Sequence, residues 1–172
     1  MILVEADASG EWDSRTDWAA LAEEAVRAAV GASVHPALLD SPLAVEISVR
    51  FGSDDGVRVL NAGYRAKDKP TNVLSFPMME PDLIASLAAA GAGEALLGDV
   101  ILAHGVCARE AAAKRIAIRD HAAHLIVHGT LHLLGYDHET GDDDAEAMEE
   151  TETRALAALG IADPYAAKEV QA

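Results

Sequence analysis

Four short stretches of the chain are rich in apolar residues and predict β-strands. Residues 43–50 show the pattern most clearly, because apolar residues alternate there with Ala44, Glu46, Ser48 and Arg50. This alternation predicts a strand with one buried face and one face that is exposed or covered by polar groups. The four predicted strands are Met1–Ala6, Leu43–Arg50, Asn72–Phe76 and Leu96–Ala103.

Five longer segments place apolar residues three and four positions apart, which predicts helices. The first has Ser14 or Thr16 to cap its start and Gly31 at its end. The fourth is apolar on most sides apart from its histidines, so we expect it to be central and buried. The five predicted helices are Asp17–Val30, Asp54–Tyr64, His104–Arg115, Ile118–Leu134 and Asp142–Leu159.

The order of these elements predicts an α+β fold, with one small mixed four-stranded sheet packed against about five helices. The segment Pro81–Gly93 is rich in Ala and Gly, and we expect it to be a mobile insertion between two strands. With 172 residues, of which 51% are hydrophobic, the chain predicts a single domain, residues 1–172.

The sequence also predicts a soluble protein of a reducing, cytoplasmic compartment. Its one cysteine, Cys107, cannot form an internal disulfide and is expected to be an inert core thiol. The N-terminus lacks the basic region of an export signal. The longest apolar region, Leu83–Ala108, is interrupted by glycines and charged residues, so it does not predict a membrane span.

The net charge of −16 argues at first against a nucleic-acid partner. However, residues 57–70 carry a net charge of +3 and residues 104–136 carry +2, whereas both ends of the chain are strongly acidic. If the two basic segments meet in the fold, they form a local basic cleft on an acidic body. Charge alone equally fits a solvated helix surface. The basic residues of the two segments are Arg58, Arg65, Lys67 and Lys69, and Arg109, Lys114, Arg115 and Arg119.

The strongest chemical pattern lies at the end of the fourth predicted helix. His128 and His132 are one helical turn apart, so both imidazoles leave the same face. Gly135 allows the chain to turn back and deliver His138. Three converging imidazoles predict a catalytic zinc site with an open fourth position, although imidazole also suits nickel or copper.

Other residues near this motif have two interpretations each. His121 and His124 lie upstream on the same helix, where supporting or packing roles fit better than metal ligation. Asp137 orients a ligand ring or is a turn residue. Ser75 and Asp99 line the cleft or cap strand ends.

The histidine spacing also matches a metalloprotease pattern with one difference. The glutamate that follows the first histidine in those enzymes, and serves as their general base, is Gly129 here. This difference disfavours a peptidase.

The motif His128–His138 resembles that of the YbeY family of bacterial endoribonucleases, H-G-x-L-H-L-x-G-Y-D-H, at every fixed position. Further blocks agree with the family in the same order, although Asn72 stands where many members carry Asp. The N-terminal third matches only in layout. The agreeing blocks are residues 60–77, 97–100 and 158–165.

The resemblance implies a zinc-dependent endoribonuclease that prefers single-stranded RNA. It implies a role in ribosomal RNA maturation, notably at the 3′ end of the small-subunit RNA, and in ribosome quality control. His128, His132 and His138 would bind one Zn²⁺ per chain on a zincin-like helix, and Arg65 would be the catalytic arginine. The residues predicted to bind the RNA are Arg65, Lys67, Lys69 and Arg115.

Two alternatives remain open from the residues: a metal-dependent hydrolase of a peptide or small molecule, and a ribosome-associated protein whose zinc stabilises the fold. The expected partners are single-stranded ribosomal RNA and the ribosome or small-subunit assembly components, without a membrane. The general base and the oligomeric state are open, and a monomer is compatible with the sequence.

Overall fold

The computed structural model describes residues 1–137 and 141–165, and within them the chain forms four strands and six α-helices. The strands are β1 (Ile2–Ala8), β2 (Ala44–Gly52), β3 (Val73–Pro77) and β4 (Glu94–Ala103). The helices are α1 (Trp18–Ala32), α2 (Asp54–Arg65), α3 (Pro81–Ala90), α4 (His104–Lys114), α5 (Ile118–Leu133) and α6 (Asp142–Ala158). A 3₁₀ turn, Pro36–Leu39, precedes β2.

The four strands form one mixed sheet in the order β1-β2-β4-β3. β1, β2 and β4 are parallel, and β3 pairs antiparallel with β4. The predicted α+β fold with a small mixed sheet is therefore confirmed. β3 lies at one end of this order, so one of its edges points away from the sheet.

The main core lies on one face of the sheet, beneath α1 and α5. Val45, Ile47, Val49 and Phe51 of β2 point into it and are at most 2% exposed. Helix α5 is buried along most of its length, as predicted, because it packs between the sheet, α1, α4 and α6. This position fixes the end of α5, which carries the histidines, relative to β3 and β4.

The opposite face of the sheet is covered only in part. Helix α2 packs its Val57 against Leu74 of β3 and Ile101 and Ala103 of β4 in a smaller apolar cluster. Ser48 and Arg50 of β2 lie on this face, as the alternation of burial along that strand shows. The C-terminal end of α2 thereby reaches the region of β3.

The prediction of a mobile insertion at Pro81–Gly93 was wrong, because most of this segment is helix α3. Pro81 occupies the first turn, where its fixed φ favours a helix and its missing N–H costs nothing. Gly91 ends the helix in the left-handed region, with φ 66°. Ile84 is 3% exposed in the main core, so apolar contact holds the helix to the sheet.

The start of α1 also differs from prediction. Asp17, not Ser14 or Thr16, caps the helix, because its carboxylate accepts a hydrogen bond from the Ala20 amide at 3.0 Å. The helix continues through Gly31 to Ala32. In the part of the chain that the structure describes, no helix is both long and apolar enough to cross a membrane.

Candidate metal centre and adjoining cleft

Two imidazoles meet at the C-terminal end of α5. His128 and His132 lie one turn apart, and their Nε2 atoms are 3.0 Å from each other. The rings are nearly perpendicular, with centroids 4.5 Å apart. Both side chains are half-buried, so the pair opens to solvent from an otherwise buried helix.

The other nitrogen of each ring is held by an acceptor. His128 Nδ1 lies 2.6 Å from Glu152 Oε1, and His132 Nδ1 lies 2.9 Å from the Tyr136 carbonyl. A carbonyl and an ionised carboxylate only accept, so each Nδ1 must donate its hydrogen. In the neutral rings, both Nε2 atoms then present lone pairs toward the same space.

This donor set fits a metal ion. Two lone pairs at 3.0 Å repel each other unless a cation lies between them. Bonds of about 2.0–2.1 Å to tetrahedral zinc place two imidazole nitrogens about 3.3 Å apart, close to the observed separation. His138, the third predicted ligand, lies outside the described residues, and within these no group of three His, Cys, Asp or Glu side chains is placed to bind a metal. The zinc ion itself stays a prediction.

Glu152 on α6 is the main residue of this centre that sequence reasoning missed. Its side chain is 1% exposed, and it also accepts a hydrogen bond from the Tyr165 hydroxyl at 2.5 Å. Burial alone raises the pKa of Glu152, but hydrogen bonds from His124, His128 and Tyr165 outweigh it and lower the pKa to about 2. Glu152 is therefore an ionised, buried carboxylate that fixes the orientation of the His128 ring.

The sequence does contain a sign of this role. Residues 148, 151, 152, 155 and 156 share the buried face of α6, and Glu152 is the one charged residue among them. A buried carboxylate requires a partner that compensates its charge. The partner is on α5, and it cannot be identified without knowing how the two helices pack.

His124 and His121 extend the histidine row away from this pair. His124 Nε2 lies 3.5 Å from Glu152 Oε1, the oxygen that His128 Nδ1 also contacts. His121 Nε2 lies 2.8 Å from Glu110 Oε1, and burial lowers the pKa of His121 despite this contact. Both are engaged with carboxylates, as expected for supporting residues.

A cleft of about 300 Å³ opens beside the histidine pair. His132, Tyr136 and Asp137 line one side of it, and Arg65 and Ser75 line the other. Arg65 is the last residue of α2, and the helix ends there because Ala66 adopts a left-handed conformation with φ 55°. Within the described residues, no hydrogen bond or ion pair engages the Arg65 guanidinium, so the cleft combines imidazole nitrogen with an available cation.

Comparison with known proteins shows the family of this chain. Residues 11–160 match the protein family described as endoribonuclease YbeY. The chain belongs to the endoribonuclease YbeY family. It is 58% identical over 169 residues to the endoribonuclease YbeY of Rhizorhabdus wittichii, covering 98% of this chain and 99% of that protein. It is 52% identical to the endoribonuclease YbeY of Sphingopyxis alaskensis, covering 96% of this chain and 98% of that protein.

A solved structure shares the fold. The solution structure of a protein from Thermotoga maritima superposes with a TM-score of 0.54, covering 93% of this chain and 92% of that chain. The two sequences are 22% identical. The two chains therefore share their fold although most of their residues differ.

The other residues predicted for this YbeY-family site are not all at the cleft. Lys67 and Lys69 follow Arg65 in an exposed loop, which is held by the buried Asn61 through a hydrogen bond to the Lys69 carbonyl at 2.8 Å. Arg115 ends α4 and is not among the described residues that line the cleft. The roles of these three residues in RNA binding stay predictions.

The two strand residues divide between the faces of the sheet. Ser75 is 9% exposed and lines the cleft beside Arg65. Asp99 lies on the opposite face, in a second cavity with Phe76 and Arg50.

Gly129 explains why this YbeY-family helix carries no peptidase base. The residue faces β4, where a Cβ atom would lie 2.8 Å from Cγ1 of Val100. A glutamate at this position has no room, because its Cβ would clash with the Val100 side chain. The helix packs closely on the sheet because residue 129 is glycine, and this packing disfavours the metalloprotease alternative.

Proposed function

We propose that this YbeY-family protein is a zinc-dependent endoribonuclease that cleaves single-stranded ribosomal RNA, including the 3′ end of the small-subunit RNA, and acts in ribosome quality control. The observation that carries the proposal is that His132, whose Nε2 lies 3.0 Å from that of His128, lines the same cleft as Arg65. The relatives described as endoribonucleases support RNA as the substrate.

His128 and His132, with His138 as the third predicted ligand, would hold the ion. When bound, zinc supplies positive charge that polarises a coordinated oxygen. Glu152 and the Tyr136 carbonyl keep each Nδ1 hydrogen in place, so the Nε2 atoms need no reorientation.

Arg65 supplies the second positive charge. Its guanidinium matches the geometry of a phosphate through paired N–H donors. Negative charge grows on the non-bridging oxygens as a phosphodiester is attacked, and donors that are already in place stabilise it. Arg65 is exposed, so its side chain is accessible to a phosphate in the cleft.

The charge distribution supports a short contact with single-stranded RNA. The chain carries −16 overall, and the positive residues 57–70 adjoin the cleft. The acidic remainder repels the two closely spaced phosphate strands of a duplex more strongly than a single strand. Ribosomal RNA as the substrate implies the cytoplasm as the compartment and ribosome assembly components as neighbours.

The test is cleavage of an end-labelled single-stranded RNA by the zinc-loaded protein and by Arg65→Ala and His132→Ala variants purified in parallel. A matched control is Arg27→Ala, an exposed arginine on α1, outside the cleft. We expect Arg65→Ala and His132→Ala each to lower kcat/KM at least 100-fold, with Arg27→Ala unchanged. Equal activity in all four proteins, or activity that survives zinc removal by a chelator, would refute the proposal.

A further inference from the structure

A second cavity, of about 310 Å³, lies on the sheet face opposite α1 and α5. Its wall contains two aromatic rings, Tyr64 of α2 and Phe76 of β3, with centroids 5.3 Å apart at an angle of 63°. Tyr64 is 74% exposed, so much of its ring surface is accessible to a ligand. Exposed rings beside a cavity are the surfaces on which single-stranded bases stack.

Polar side chains also line this cavity. Ser48 of β2 and Phe76 of β3 are both register partners of Asp99 in β4. A hydroxyl, a carboxylate and an aromatic ring therefore lie in one row across three strands. Arg50 of β2, two residues along from Ser48, adds a guanidinium to the lining.

This cavity adjoins the catalytic cleft across strand β3. Ser75 and Pro77 line the cleft, and Phe76 between them lines the cavity, because successive strand residues point to opposite faces. At the end of α2, Arg65 lines the cleft and its neighbour Tyr64 lines the cavity. Since β3 is an edge strand, an RNA chain that passes over that edge meets the cleft on one face and the cavity on the other.

We propose that this cavity is a nucleobase subsite, which binds a guanine next to the phosphate held at Arg65. The inference rests on the proposed endoribonuclease function and names the base that its substrate presents. The base stacks on Tyr64, and Asp99 accepts hydrogen bonds from its Watson–Crick edge.

The polar side chains that line the cavity favour guanine over the other bases. An ionised carboxylate only accepts hydrogen bonds, and guanine is the base with two adjacent donors, N1–H and the 2-amino group. Uracil presents one N–H between two carbonyl oxygens, which the Asp99 carboxylate repels. Ser48 and Arg50 provide donors for the carbonyl oxygen of guanine.

The surroundings admit a base but not a continuing RNA strand. On the far side of the cavity, β1 places Glu5 beside Ser48 and Asp7 beside Arg50. Both acidic residues are exposed, and Asp7 Oδ1 lies 3.7 Å from Arg50 Nε. Phosphates are therefore repelled from the β1 side, and the RNA backbone stays at the edge of β3.

The first test measures binding without cleavage. GMP and UMP are titrated into the metal-free protein, and chemical shifts of the cavity methyl groups of Leu60 and Ile101 are followed. We expect GMP to bind about tenfold more tightly than UMP. Tyr64→Ala should weaken GMP binding about tenfold, and Tyr64→Phe, which keeps the ring, should retain it.

Asp99→Asn should abolish the preference for GMP over UMP, because an amide offers one acceptor and one donor in place of two acceptors. Matched controls are Val59→Ala on α2 and Glu46→Gln on the same sheet face, both exposed and neither among the residues that line the cavity. The controls should leave both affinities unchanged.

The second test maps cleavage of a single-stranded RNA with randomised positions. RNA cleaved by the wild-type protein should be enriched in guanine at one position beside the cleavage site, and Asp99→Asn should reduce that enrichment about tenfold. Cleavage with no preferred base, or equal binding of GMP and UMP, would overturn the subsite while leaving the endoribonuclease intact. Selective GMP binding without any cleavage would support the subsite and refute the proposed function.

Discussion

Replacing Glu152 by glutamine tests whether one buried carboxylate organises the metal centre. Glutamine has the same shape, so packing against Met148, Thr151 and Ala155 is preserved. The substitution removes the charge that now faces His128 Nδ1 at 2.6 Å and the Tyr165 hydroxyl at 2.5 Å.

The magnitude follows from the pKa of Glu152. Hydrogen bonds that outweigh burial lower it from 4.5 to about 2. At 1.36 kcal/mol per pKa unit, this stabilises the folded ionised state by about 3 kcal/mol. Because the folded pKa is depressed, this contribution is present above about pH 4.5 and is lost as the pH falls from 4.5 toward 2. At pH 7 the full stabilisation of about 3 kcal/mol is present.

We therefore expect Glu152→Gln to lower the free energy of unfolding of the metal-free protein by about 3 kcal/mol at pH 7, measured by urea denaturation. Zinc affinity, measured by competition with a chelator, should fall by about 10- to 100-fold, because the His128 ring loses its fixed orientation. The exposed Glu150→Gln on the same helix is the control and should change stability by less than about 0.5 kcal/mol. A loss below about 1 kcal/mol with unchanged zinc affinity would refute the reasoning.

Three further predictions concern packing, the basic loop and pH. Gly129→Ala should destabilise the protein by about 1–2 kcal/mol in thermal unfolding, since strain against Val100 exceeds the gain in helix propensity. The control Gly63→Ala, whose Cβ meets open space, should be neutral or stabilising. Equal effects of the two substitutions would contradict the close contact between residue 129 and Val100. Asn61→Ala should cost about 1–3 kcal/mol and speed amide hydrogen exchange in residues 67–69, and unchanged exchange would contradict the anchoring role. Burial lowers the pKa of His121 below 6.5, so the unfolded chain binds a proton more readily and stability falls as the pH drops through 6.5. His121→Gln should therefore reduce the loss of unfolding free energy between pH 7.5 and 5.5. An unchanged loss in this variant would contradict the role of His121.

Patterns that repeat along one element were predictable from sequence. The spacing of His128 and His132 alone places both rings on one helix face, and the apolar character of α5 alone predicts its burial. The bounds of the strands and helices follow from the same periodicities, within one or two residues at most ends. These features depend on backbone geometry, which neighbouring residues determine.

Contacts between elements were not predictable. Glu152 is 24 residues from His128, and only the packing of α6 on α5 brings them together. The position of Asp99 on the opposite face from Ser75 depends on the register of β4 with β3. Helix α3 was missed because the Ala and Gly content of its segment resembles a loop. Pro81 in the first turn, Gly91 at the C-terminal end and the buried Ile84 fix it as a helix.

Gly129, the residue after the first histidine, limits which chemical groups α5 brings to the cleft. Residue 129 faces Val100 in the sheet, so α5 contributes imidazole nitrogen to the cleft through His132 but no carboxylate from position 129. Asp137, which follows α5, is the carboxylate among the described residues that line the cleft. The sheet and α2 bring Arg65 and Ser75 to the cleft, a cation and a hydroxyl donor. Both act on negative charge in a transition state and neither is a strong base at neutral pH. Arg65 and Ser75 therefore favour stabilisation of the charge that grows on a phosphodiester under attack.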